Sequence, residues 1–94
     1  PLLRQATPEG SGLRVHLDHA EGLTTRGGPV AGFEVAGADG QYVPADARIE
    51  GMTVLVSSPS VAAPRSVRYG WADNPKVSLY NAAGLPASPF RSPE

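Results

Sequence analysis

"LRVHLD", Leu13 to Asp18, decides how this chain folds. Leu13, Val15 and Leu17 alternate with Arg14, His16 and Asp18, the period-2 pattern of a strand with one face buried. Working outward, "AGFEVAG" puts Phe33 and Val35 on one face and Glu34 on the other. Asp39-Gly40 supplies a turn, strand-like residues resume at Gln41 to Val43, and Pro44 marks an edge or a kink. "ADARIEGMTVLVSS" reads as a hairpin, with Glu50-Gly51 or Gly51-Met52 at its turn. "VRYGW" places Val67, Tyr69 and Trp71 on one face. The expected core is Leu13, Val15, Leu17, Phe33, Val35, Ile49, Val54, Val56, Val67, Tyr69 and Trp71.

Helix has little room here. The chain carries 11 glycines and 10 prolines, and its longest stretch free of both is the nine residues Leu13 to Glu21. A typical helix needs about 11 or 12 residues. Many short strands between frequent turns predict an all-β fold, an antiparallel β-sandwich of the jelly-roll or immunoglobulin-like kind. At 94 residues the chain makes one domain, residues 1–94, with no internal repeat or linker.

Composition narrows the function classes. Eight basic and nine acidic residues give a net charge of −1 with the signs mixed, which argues against nucleic acid or an anionic membrane as partner. With no cysteine, disulfides and thiolate metal sites are excluded. No apolar run approaches the roughly 20 residues of a helical membrane span. His16 sits on the polar face of its strand pattern and reads as solvated. His19 follows Asp18, but neighbouring strand residues point to opposite faces, so a turn would have to intervene for one to orient the other. No serine stands in a G-x-S-x-G elbow. Asp18, His19 and Glu21 lack the second cluster that a metal site needs, and no cofactor motif is present. The chain alone reads as non-catalytic. Trp71, Tyr69, Tyr42 and Tyr80 could stack on sugar rings, although the parity shared by Trp71, Tyr69 and Val67 favours core packing. Trp71, Asn74, Tyr80 and Asn81 are the candidate binding residues, for sugar or for docking.

The stretch "VRYGWADNPKVSLYNAAGLPASPFRS", Val67 to Ser92, closely resembles the C-terminal end of the sialate O-acetylesterases, a family of SGNH-type hydrolases. "GLRVHLDHAEGL" and "GGPVAGFEVAGADGQYVPADARIEGMTVLVSSPSV" resemble the region before it, so the likeness runs from about Leu2 to Arg91. It implies a C-terminal β domain whose parent removes O-acetyl groups from sialic acids or related acetylated sugars by acyl transfer through serine. In that family the catalytic serine lies far upstream, and the catalytic histidine belongs to a D-x-H-P block. Asp18-His19-Ala20 departs from that block, so no catalytic role passes to His19. The implied partner is the catalytic α/β domain of the same parent chain, with an acetylated glycan as a further ligand and a secreted or periplasmic parent. A carbohydrate-binding module and a structural or oligomerisation domain are the alternatives.

Residues 73–94 are expected to form an irregular strap. Leu79, Leu85 and Phe90 share no period, while Pro75, Pro86 and Pro89 remove backbone donors. Asp73 to Phe90 is therefore expected to dock on a neighbouring surface, the alternative being that it folds back over an open face of the sandwich.

Overall fold

The computed structural model describes residues 1–25, 30–70 and 78–92. Among these, eight strands form two four-stranded antiparallel sheets. The first has the order β1 (Leu2–Glu9), β2 (Gly12–Asp18), β6 (Thr53–Ser57), β5 (Asp46–Glu50). The second runs β4 (Val43–Pro44), β3 (Phe33–Ala36), β7 (Ser66–Tyr69), β8 (Phe90–Ser92). Lettered in chain order, with β4 as C′, this is A-B-E-D against C′-C-F-G. Of the two expected sandwiches it is the immunoglobulin-like one.

β2 behaves as its alternation requires: Leu13, Val15 and Leu17 are buried, while Arg14 and His16 face outward and are half-buried. Val54 and Val56 of β6 pair with Val15 and Leu13, continuing the apolar face across the sheet. Phe33 and Val35 of β3 pair with Tyr69 and Val67 of β7 and supply the facing layer. The β5–β6 hairpin closes on Gly51-Met52, between the paired residues Glu50 and Thr53. Gly51 takes φ +65° at the first turn position, a conformation glycine reaches without strain and a β-branched residue does not. Only Ala45 separates β4 from β5, so the chain changes sheets at that residue.

Two expectations need correction. Ile49 is only half-buried, because β5 is the edge of its sheet and one flank of its side chain lacks a neighbour. β1 is a strand for which the sequence raised no expectation, because it has no clear alternation. Its register shifts between Leu3 and Gln5, and Pro8 fits because β1 is also an edge strand. The second correction concerns the strap. Leu79 and Phe90 belong to this domain's own core together with Ala87, and only Leu85 points away, 60% exposed. The strap also ends in a regular element, since Phe90 begins β8 and pairs with Tyr69. Trp71 lies outside the described residues.

Leu79 reaches the core without any periodic element because backbone hydrogen bonds hold the chain on both sides of it. The Tyr69 hydroxyl accepts from the backbone N–H of Ser78 (2.8 Å) and of Leu79 (3.0 Å). Ala87 N–H donates to the Leu79 carbonyl at 2.9 Å. Beneath them the Tyr69 ring packs against Phe33, with centroids 4.8 Å apart, and against Phe90 at 5.5 Å.

Tyr69→Phe keeps the ring and removes the acceptor, leaving the N–H of fully buried Leu79 without a partner. The expected cost is about 1–3 kcal/mol, which lowers Tm by at least about 4 °C in a domain of this size. Thermal denaturation checks it; an unchanged Tm would show that the hydroxyl contributes nothing to holding the strap.

Candidate interaction site

Tyr80 and Asn81 lie in a compact hairpin built on the loop that leaves β2. Thr24 and Tyr80 exchange both backbone hydrogen bonds at 2.9 Å. Ala82 N–H donates to the Glu21 carbonyl at 2.8 Å. Within the hairpin, Asn81 Oδ1 accepts from the N–H of Ala83 and of Leu85, both at 3.0 Å. Its Nδ2 donates to the His19 carbonyl at 3.1 Å. Asparagine suits this task because one short side chain both accepts and donates beside a turn. Gly22 has φ +66° and faces Ala82 so closely that an added Cβ would stand 2.7 Å from the Ala82 Cβ. Asn81 therefore organises the turn, and its side-chain oxygen is engaged there. Tyr80 is half-buried against the same loop. Asn74 and Trp71, the other two candidates, lie outside the described residues.

The remaining aromatic candidates do not make an open platform. Tyr69 is completely buried. The Arg68 guanidinium stands 4.1 Å over the Tyr42 ring while its Nε donates to Glu34 at 2.8 Å. A cavity of about 300 Å3, lined in part by Gly37, Asp39, Val61 and Arg65, sits at the end of the sandwich opposite the hairpin.

The histidines occupy different settings. His16 Nε2 and Thr7 Oγ1 are hydrogen-bonded at 3.2 Å on the outer face of the first sheet. His19 is exposed at φ +56°, so a turn does follow Asp18. Among the described residues, no group of three or more His, Cys, Asp or Glu could hold a metal ion.

Ionic contacts concentrate beside His16. Arg14 donates through Nε and Nη2 to the two oxygens of Glu9, through Nη2 to Glu50 at 2.9 Å, and through Nη1 to Thr53 at 2.8 Å. Arg48 reaches the other oxygen of Glu50 at 2.8 Å. One guanidinium thus ties β2 to its neighbours β1 and β6 and, through Glu50, to β5. Sequence spacing gave no sign of it, because Glu9, Arg14 and Glu50 meet only through strand register. Leu85, one of the strap residues expected to dock, stands as the exposed apolar tip of the Asn81 hairpin.

No protein-family model matches the chain, and no curated protein does. Among solved structures, the crystal structure of a carbohydrate acetylesterase from Xanthomonas citri matches with a TM-score of 0.91 and 44% identity. The match covers 98% of this chain and 22% of that one. The chain is similar to one part of a carbohydrate esterase. At this identity the likeness extends beyond the fold to many side chains, and most of the esterase lies outside the matched region.

The Arg14 cluster sets a pH dependence. Hydrogen bonds from Arg14 hold the Glu9 and Glu50 carboxyls below their ordinary value of 4.5. A carboxylate lowered in the folded state contributes stability that is present above its unfolded pKa and lost as pH falls through the folded one. The stability difference between the native chain and Arg14→Met should therefore shrink between about pH 5 and pH 2. Denaturant melts across that range check it; a difference that stays constant would contradict the assignment.

Proposed function

We propose that this chain is the non-catalytic C-terminal sandwich domain of a carbohydrate esterase, docked on the catalytic α/β domain of the same polypeptide. The parent removes O-acetyl groups from sialic acids or related acetylated sugars. The observation that carries this reading is the match to 22% of a carbohydrate acetylesterase at 44% identity, over 98% of the present chain. The sialate side rests on the likeness of Val67 to Ser92 to the ends of sialate O-acetylesterases.

The chemistry of the described residues agrees with a supporting role. Ester hydrolysis through serine needs an activated hydroxyl and donors aimed at the developing oxyanion. His16 is bonded to a threonine on an open sheet face, and His19 stands at an exposed turn without the proline of the family block. The reading as a carbohydrate-binding module is less well supported, because Tyr69 is in the core and a cation covers the Tyr42 ring.

Hydrolysis of an activated acetyl ester tests the division of labour. The 94-residue chain, and its His16→Ala and His19→Ala variants, should show the rate of buffer alone, while the longer polypeptide that contains it should turn over. Turnover by the short chain that vanishes in either variant would overturn the non-catalytic assignment. With the longer polypeptide, faster release of acetate from an O-acetylated sialoside than from an O-acetylated neutral sugar is expected. The reverse order would remove sialic acid from the proposal.

A further inference from the structure

The large apolar side chains exposed among the described residues are Leu2, Met52 and Leu85, at 51%, 53% and 60%. Scattered singly over a surface, three such residues would be unremarkable. Strand register brings them to one end. Leu2 pairs with Asp18, the last residue of β2. Met52 lies in the β5–β6 turn, next to Thr53, which pairs with His16 two residues earlier. Leu85 tops the hairpin that Asn81 and Ala82 fasten to His19 and Glu21, immediately after β2 ends. The Gly10-Ser11 turn, the Asp39-Gly40 turn and the segment 58–65 stand at the other end. No described large apolar side chain is exposed there.

We propose that the end of the sandwich bearing Leu2, Met52 and Leu85 is the face that packs against the catalytic domain of the same polypeptide. This inference rests on the esterase reading above and adds to it the surface used.

Three features favour that occupant. Residues Tyr80 to Phe90 carry no charge, and Ala82, Ala83, Leu85 and Pro86 are all exposed around the tip. The cores of protein interfaces are depleted in charge in the same way. Asp18, His19 and Glu21, exposed beside the tip, supply the polar rim. The tip is also preorganised: two N–H groups on Asn81 Oδ1 and the close approach of Gly22 to Ala82 fix its backbone before any contact forms. Ordering that is already complete reduces the entropy cost of docking. The third feature is size. A stable complex of separate chains buries about 1,200–2,000 Å2, more than the end of a small sandwich offers through three side chains. A neighbour tethered in the same chain has a high effective concentration and needs less area. The matched esterase has most of its length outside this domain, so such a neighbour is at hand in that architecture.

Oxidative footprinting of the 94-residue chain and of the longer polypeptide tests the assignment. Met52 is read by its sulfoxide and Leu2 and Leu85 by hydroxyl-radical labelling, with exposed Pro59 at the other end as the reference. Expected is a severalfold loss of labelling at Leu2, Met52 and Leu85 in the longer polypeptide, with Pro59 unchanged. Equal labelling of the three residues in both proteins would overturn the proposal. So would protection that already appears in the short chain on raising its concentration, which would make a second copy the occupant. Leu85→Asp supplies an independent readout. It should leave the Tm of the short chain unchanged and lower that of the longer polypeptide, and an equal loss in both would place Leu85 in the service of the sandwich itself. Acetylesterase activity is assayed on the same samples. Its absence would overturn the esterase reading whatever the footprint, and a failed footprint on an active enzyme would overturn only the docking face.

Discussion

The Tyr69 hydroxyl, accepting from the backbone of Ser78 and Leu79, is the interaction on which the rest of the structure depends. A buried N–H needs a partner, and the N–H of Leu79 is fully buried. Tyr69 provides one from the edge of the core. Its ring, anchored between Phe33 and Phe90, fixes where that acceptor stands. Once Leu79 is seated, the Thr24–Tyr80 exchange and the Ala87–Leu79 bond follow, and the chain is returned to the sheet as β8. A stretch without periodicity thereby closes one side of the sandwich.

The same arrangement separates what the strap buries from what it presents. Leu79, Ala87 and Phe90 are buried within the domain, whereas the turn held by Asn81 lifts Leu85 clear of it. Stability and presentation are assigned to different residues of one short segment. The surface that results is apolar and small, and it stands beside Leu2 and Met52 at a single end of the molecule.

Much of this was legible in the sequence. The alternation in Leu13–Asp18 placed β2, and the residues around Gly51 placed the hairpin, because sheet burial has a period of two and tight turns require particular residues. The lack of a helix or extended strand over residues 78–89 was also visible, through its prolines and its lack of period. Where that stretch packs was not visible. Leu79 is held by a side-chain hydroxyl ten residues away, and hydrogen bonding of that kind leaves no periodic trace. β1 escaped for a related reason, since a shifted edge strand with a proline has no clean alternation. Asn81 was singled out as a binding residue, and the structure adds that it organises the turn. Turn organisation of that kind is set by geometry that a single residue letter does not carry.

Native-state hydrogen exchange on the 94-residue chain tests the central claim most directly, read at the amides of Leu79 and Ala87. If the strap is part of the sandwich, both should exchange only through global unfolding, as slowly as the hydrogen-bonded amides of β3 and β7. Exchange at the rate of an open loop, while β3 and β7 stay protected, would show that the strap is not held by Tyr69 and would contradict the account.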